Sequence, residues 1–392
     1  MTNTQATIGV IGAGTMGTGI AQVAATHGHQ VYIYDAFSEQ LVKAEKALKS
    51  ILARQVEKGR MSQQEVDDIL NRIKFVDNIT MFGECGFVIE AVVENPDVKK
   101  DVFARLEAIV SRDCILASNT SSLSIASISS SLKKPGRFLG VHFFNPAPLM
   151  KLVEIIPGIA TAPDITNQTK ELIKAWGKTI VTSKDTPGFI VNRVARPFYG
   201  EALRILEEGV ADVATIDWAM KEIGGFRMGP FELMDLIGHD VNYEVTSSVF
   251  KEFYYDPRFK PSFTQKRLVE AGWLGRKSGR GFYDYRDGST NPSPTTDKEL
   301  GTKILNRVLV MLINEACDAV FMNIGSVEDV DLAMQNGVNY PKGLLAWADE
   351  IGLPKVLDMM TALQVEYRED RYRPNPLLKR MVREGRNFYE IV

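Results

Sequence analysis

A chain of 392 residues with 45% hydrophobic and 24% charged residues is long enough for two or three domains with cores of their own, and its composition is that of an ordinary soluble globular protein. A formal net charge of −3 excludes a general nucleic-acid or anionic-membrane binder, so a polyanionic ligand must be met by local Lys, Arg and helix N-termini. Cys85, Cys114 and Cys317 are few, odd in number and far apart, which argues against a disulfide framework and for a reducing compartment.

In chain order, residues 7–11 (Thr-Ile-Gly-Val-Ile) read as a buried strand, 17–27 as a helix, and Gln30 to Tyr34 as a second strand. That unit opens a parallel α/β sheet. Helical pattern runs from about Glu39 to Lys58 and from Gln63 to Arg72. Strands are expected at 87–91, 114–117, 138–143 and, after a turn with Pro146 and Pro148, at Leu152 to Ile156. Thr186 reads as an N-cap with Pro187 in the first turn of a long helix toward Glu208. Helices with Gly/Pro punctuation follow to about 285, then a linker-like stretch from Asp287 to Thr296, then more helix.

The helical part repeats itself at an offset of 114 residues. Asn192-Arg193 recurs as Asn306-Arg307, Glu201 as Glu315, Asp217 as Asp331, Ala219-Met220 as Ala333-Met334 and Gly238 as Gly352. The expected organisation is an α/β Rossmann-type dinucleotide-binding domain (1–185), a helical substrate domain (186–286) and a second, degenerate helical copy (297–392) with a structural role. Asn306 is expected to serve in packing.

Gly12-Ala13-Gly14-Thr15-Met16-Gly17 fits G-x-G-x-x-G between a strand and a helix. Gly12 permits the tight turn, Gly14 lets backbone approach a pyrophosphate, and Gly17 packs helix on strand, while the helix N-terminus attracts the phosphates. Asp35 ends the second strand, where a carboxylate accepts from an adenine ribose and repels a 2′-phosphate. NAD is therefore favoured over NADP.

Of four histidines, His27 and His29 read as surface residues and His239 as a local hydrogen-bonding group. His142 closes an apolar strand, where a buried structural histidine is the ordinary reading. Glu154 on the following strand changes the balance, since a carboxylate there can reach Nδ1–H and hold the imidazole as a base for alcohol oxidation. Ligand-spaced His/Cys clusters and nucleophile-elbow patterns are absent, so neither a metal nor hydrolysis is expected.

Gly12–Gly17, Ser118-Asn-Thr-Ser-Ser-Leu123, His142-Phe-Phe-Asn-Pro146, Leu152-Val-Glu-Ile155, Asp185-Thr-Pro-Gly-Phe-Ile-Val-Asn-Arg193, Gly229-Pro-Phe-Glu-Leu233 and Gly279-Arg-Gly-Phe-Tyr283 together resemble the L-3-hydroxyacyl-CoA dehydrogenases over residues 6–285. The duplicated tail resembles the dehydrogenase part of multifunctional fatty-acid oxidation proteins. The resemblance implies NAD-dependent, reversible oxidation of a 3-hydroxyacyl-CoA, with His142 as base, Glu154 as its orienting partner, Ser121 bonded to the reacting oxygen, and Asn192 facing the same cleft. It also puts Glu94, Lys99 and Asn145 near the cofactor. Plainer readings stand beside these: a surface pair for Glu94 and Lys99, a turn residue for Asn145, a helix cap for Ser121, polar filler for Asn192. Arg54 and Lys58 are candidates for the CoA phosphates, with solvation as the plainer role.

Two rival readings fit the same residues, a same-fold dehydrogenase of a free hydroxy acid or sugar acid (gulonate or carnitine type) and a non-catalytic NAD-binding protein. The acyl-CoA thioester is the expected partner, with no nucleic acid and no membrane. Because many relatives dimerise through a single helical domain, the second copy predicts a monomeric pseudo-dimer, with a homodimer as the alternative. The first five residues carry no targeting pattern, no run reaches the ~20 apolar residues of a membrane span, and the last residues carry no retention or peroxisomal signal. The expected location is the cytoplasm.

Overall fold

The computed structural model describes residues 6–389, so the readings made on the first five and last three residues lie outside it. The chain divides into two compact units, Met1–Thr186 and Pro187–Val392.

The first unit is built on one sheet of β1 (Thr7–Ile11), β2 (Val31–Tyr34), β3 (Ile73–Val76), β4 (Cys85–Glu90), β5 (Ile115–Ser118), β6 (Phe138–Phe143), β7 (Leu152–Pro157) and β8 (Thr179–Thr182). Their order is β3-β2-β1-β4-β5-β6-β7-β8. Neighbours run parallel except β6 and β7, which are antiparallel. Ile8, Val10, Val88 and Ile89 are fully buried, as strands covered on both faces require. The accompanying helices are α1 (Thr15–Thr26), α2 (Ser38–Glu57), α3 (Gln63–Arg72), α4 (Pro96–Ile109), α5 (Ile125–Ser129) and α6 (Pro163–Ala175). Local chemistry sets their starts. Ser62 and Glu65 form a reciprocal capping box at α3, and Asn95 caps α4 ahead of Pro96.

Strands β3 and β8 were not expected from the sequence. The helix predicted from Thr186 also starts later. Gly188 (φ 72°) and Phe189 (φ 47°) leave the right-handed helical region, so helix resumes only at α7 (Val191–Val194), followed by α8 (Arg196–Glu207).

The second unit continues with α9 (Val213–Trp218), α10 (Pro230–Ile237), α11 (His239–Glu252), α12 (Phe263–Glu270), α13 (Lys298–Phe321), α14 (Val327–Gly337), α15 (Leu344–Ile351), α16 (Leu353–Tyr367) and α17 (Pro376–Glu384). The repeat seen in the sequence recurs in detail. Asp217 accepts from the backbone N–H of Phe231 and Glu232 and from Tyr283 Oη; Asp331 does the same with Leu345, Ala346 and Tyr389. Gly229 and Gly343 each leave room for that carboxylate, since a Cβ at either would lie 2.3 Å from the aspartate Cγ.

The two copies exchange buried charges reciprocally. Arg193 Nε donates to Glu315 at 2.7 Å, and Arg307 Nε donates to Glu201 at 3.1 Å. Residue i of one copy thus meets residue j of the other, and j meets i, as in an isologous dimer interface. Asn306, expected in packing, lines a groove of about 440 Å³ together with Lys303, Arg307 and Met359.

Removing Arg193 leaves Glu315 and Asp318 with Arg258, whose Nη1 lies 3.0 Å from each, as their remaining guanidinium. Arg193→Met is therefore expected to cost about 2 kcal/mol, the loss of charged hydrogen bonds and not of a whole counter-charge, and the double variant with Glu315→Gln less than the sum of the singles. Denaturant unfolding followed by circular dichroism measures both; strict additivity counts against the pairing.

Candidate active site

Strands β1, β4, β5 and β6 run parallel, so their C-terminal ends and the loops that follow share one edge of the sheet. The order reverses between β1 and β4, and ligands of such sheets bind in the crevice outside that point.

After β1, Gly12 takes φ +100°, with the Ala91 carbonyl where a Cβ would stand. A Cβ on Gly17 would sit 1.9 Å from the Gly12 carbonyl oxygen, so only glycine permits this contact of helix with turn. Gly14 differs, because a Cβ there would meet nothing within 4 Å. It opens α1, whose first turn (Thr15, Met16, Gly17) has neither a side-chain cap nor an acidic residue. Its positive end therefore faces open space across a side-chain-free residue, which fits the pyrophosphate of a dinucleotide. Asp35, just beyond β2, accepts from Ala13 N–H at 2.8 Å and Phe37 N–H at 3.0 Å, tying the carboxylate at the end of β2 to the glycine turn.

His142 and Glu154 lie directly opposite each other across β6 and β7. Nδ1 of His142 is 2.7 Å from Oε2 of Glu154. The glutamate side chain is fully buried and the imidazole nearly so. Asn119, in the loop after β5, accepts from the backbone N–H of Phe143 at 2.8 Å and fixes the end of β6.

Glu94, in the loop after β4, gathers the next group. It accepts from Thr120 Oγ1 at 2.5 Å and from Ser121 N–H at 2.9 Å, with Ser121 Oγ at 3.4 Å and Lys99 Nζ at 3.2 Å. Burial opposes ionisation of Glu94, but Lys99 and these donors outweigh it and hold the carboxyl below its ordinary 4.5.

Lys99 is buried, not on the surface, and its main partner is the fully buried Glu90 at 2.6 Å, which also accepts from Ser118 Oγ at 2.7 Å. Sequence reasoning assigned Glu90 no role, although an acidic residue ending an apolar strand was the available signal. The capping role weighed for Ser121 falls to Ser124, which accepts from Ser127 N–H, while Asp185 accepts from Ile125 and Ala126.

Asn145 is exposed and precedes a cis Asn145–Pro146 bond. Arg54 and Lys58, at the end of α2, are exposed. Asn192 stands on α7 in the second unit. His29 corrects a surface reading, being buried with Nδ1 2.9 Å from the Ala6 carbonyl. His239 is fully buried against Asp235 at 2.6 Å. Among the described residues no His/Cys/Asp/Glu group could hold a metal ion, and no helix is long and apolar enough to cross a membrane.

A sheet that offers a dinucleotide an uncapped helix end after β1, and a carboxylate-held imidazole on β6, has the parts a nicotinamide-dependent alcohol dehydrogenase needs. Comparison with known proteins makes this specific. The 3-hydroxyacyl-CoA dehydrogenase NAD binding domain matches residues 7–186, and the C-terminal domain of the same family matches twice, at 188–285 and 304–389. The chain belongs to the 3-hydroxyacyl-CoA dehydrogenase family: it is an NAD-dependent oxidoreductase that oxidises 3-hydroxyacyl-CoA. It is 40% identical to 3-hydroxyadipyl-CoA dehydrogenase of Escherichia coli K12, over 97% of this chain and 98% of that one. It is 42% identical to 3-hydroxybutyryl-CoA dehydrogenase of Bradyrhizobium diazoefficiens, over 74% of this chain and 97% of that one. The crystal structure of 3-hydroxybutyryl-CoA dehydrogenase from Escherichia coli K12 superposes with a TM-score of 0.91 at 37% identity, covering 97% of this chain and 99% of that one.

The lowered Glu94 pKa carries a pH signature. Its ionised form adds stability that is fully present above about pH 4.5 and is lost as pH falls through the lower folded value. Urea midpoints measured from neutral to acid pH should therefore fall more steeply for the wild type than for Glu94→Gln, converging at the acid end. Parallel curves would refute the coupling.

Proposed function

We propose that His142 is the general base of this oxidation. The observation that carries the reading is the 2.7 Å contact of its Nδ1 with Glu154. With Nδ1–H donated to the carboxylate, Nε2 is the nitrogen that takes the 3-hydroxyl proton, and Glu154 stabilises the imidazolium that results. When bound, NAD supplies the acceptor for the hydride leaving C3, so the products are the 3-ketoacyl-CoA, NADH and one proton, held first on His142. Ser121 hydrogen-bonds the reacting oxygen, and Glu94 fixes the Ser121 loop through its backbone and hydroxyl. Asp35 takes the adenine ribose, and Gly12, Gly14, Thr15, Met16 and Gly17 take the pyrophosphate. Asn145 lies near the cofactor, Lys99 supports the cofactor loops from beneath through Glu90 and Glu94, Asn192 positions the substrate, and Arg54 and Lys58 offer charge to the phosphates of CoA.

His142→Gln should bind NAD normally yet turn over about 10²–10⁴-fold more slowly. Near-normal turnover on a 3-hydroxyacyl-CoA, read as NADH absorbance, would remove the assignment.

The reciprocal Arg193–Glu315 and Arg307–Glu201 pairs support a second copy that stands where a partner subunit would, giving a monomer with an internal pseudo-dimer. Light scattering at low micromolar concentration should return a single-chain mass; an obligate dimer there contradicts it. The three buried cysteines, with the Cys85 and Cys114 thiols pushed up to about 12 by burial, suit the reducing cytoplasm.

A further inference from the structure

Arg137, Arg193, Arg196 and Arg371 are the buried arginines among the described residues. Three of them sit beside carboxylates: Arg137 by Glu107, Arg193 by Glu315 and Asp318, Arg371 by Glu369. Arg196 does not. It opens α8 at 7% exposure, and among the described residues its guanidinium makes a single side-chain hydrogen bond, from Nη1 to Thr246 Oγ1 at 3.1 Å. The Thr246 hydroxyl in turn donates to the Asn242 carbonyl, so it is spent on both sides.

The ring of Tyr199 stacks 4.9 Å from the Arg196 Cζ, and Tyr199 and Tyr340 are the ionisable groups close enough to act on it. Arg196 Nε and Tyr340 Oη are both buried with no hydrogen-bond partner. On the neighbouring α11, Ser247 Oγ is in the same state. A cation held this deep without an anion is costly, and unpartnered donors around it add to the cost. A bound carboxylate would relieve both, because it accepts bidentately from a guanidinium and has lone pairs left for a phenol.

We infer that Arg196, with Tyr340, receives a second, terminal carboxylate on the acyl chain, so that the preferred substrate is a 3-hydroxyacyl-CoA of a short dicarboxylic acid. The inference rests on the reading that Asn192 lies at the reacting end of the substrate. Arg196 follows Asn192 by four residues through helical backbone at Ala195, hence by about 6 Å along the axis and on the same side. That separation matches the few methylenes between C3 and the far carboxylate of a six-carbon diacid. A CoA phosphate would not explain it, since the thioester and CoA lie on the other side of C3.

The test is an NAD-linked assay on the full-length enzyme with two substrates of equal chain length, 3-hydroxyadipyl-CoA and 3-hydroxyhexanoyl-CoA. The wild type should favour the diacid in kcat/KM. In Arg196→Met the ratio of the two kcat/KM values should fall by at least ~30-fold, the usual consequence of truncating one partner of a buried charge pair. Arg196→Lys should retain part of the preference. Should Arg196→Met fail to fold by circular dichroism, Tyr340→Phe, which removes only an unpartnered hydroxyl, should still lower the ratio several-fold. A wild type without preference, or variants that slow both substrates in proportion, would overturn the role of Arg196 alone. Turnover of neither substrate would overturn the parent reading instead.

Discussion

The arrangement turns on the reversal of chain direction between β6 and β7. Had β7 followed the parallel rule of the strands before it, a crossover helix would separate His142 from Glu154. The antiparallel pairing instead sets them opposite each other although they are twelve positions apart, and the register decides which face they share. A one-residue slip would turn Glu154 away from the imidazole. Glu154 is fully buried, and a buried carboxylate persists only with a partner that matches it. The strand pairing therefore positions the imidazole and also supplies the reason for the carboxylate to be tolerated there.

A second buried group does similar work one strand away. Glu90 at the end of β4 binds Lys99 Nζ, Ser118 Oγ and the backbone N–H of Val92. Those contacts join the ends of β4 and β5 to the start of α4, and Lys99 passes the connection to Glu94 and the Ser121 loop. Seen this way, the cofactor edge is a set of loops fixed by buried, satisfied charges. At the Glu90–Lys99–Ser118 centre these hydrogen bonds are closed to water, while the Glu94–Ser121 contacts that extend from it lie at the surface.

Much of this edge was legible in the sequence because its residue types are forced. Gly12 and Gly17 stand where any side chain would strike a carbonyl, and Asp35 follows an apolar run that could only be a central strand. What escaped has equally physical reasons. β3 (Ile-Lys-Phe-Val) follows α3 without an intervening turn residue, so its pattern merges with the helix before it, and β8 is four residues long. The delayed start of α7 depends on left-handed backbone at Phe189, which a non-glycine residue does not advertise. Glu90 and Lys99 lie nine positions apart and meet only through the loop between β4 and α4. The Asn192–Arg193 motif drew attention to the asparagine, whereas the structure shows the arginine bound to Glu315, a partner that only the folded second copy provides.

The repeat shows which features of a duplicated domain are retained by folding alone. Asp217 and Asp331 hold the N-termini of α10 and α15, and Asp235 and Asp349 hold the backbone at Phe282–Tyr283 and Phe388–Tyr389. Each accepts several donors in a dry setting, although burial pushes Asp217 up to about 7 against the pull of those donors. Replacing Asp217 or Asp331 would strand backbone N–H groups at a helix start, and replacing Asp235 or Asp349 would strand those of the segment each one holds, so they persist in a copy whether or not it performs chemistry. The reciprocal Arg–Glu pairs belong to the same class, because each copy supplies the counter-charge that the other has buried. Asn306 is different. It sits beside a groove rather than within a satisfied network, so its identity with Asn192 contributes nothing visible to the fold. Identity between the copies therefore separates into two kinds, residues the packing requires in both and residues, such as Asn306, that the packing of their own copy does not require.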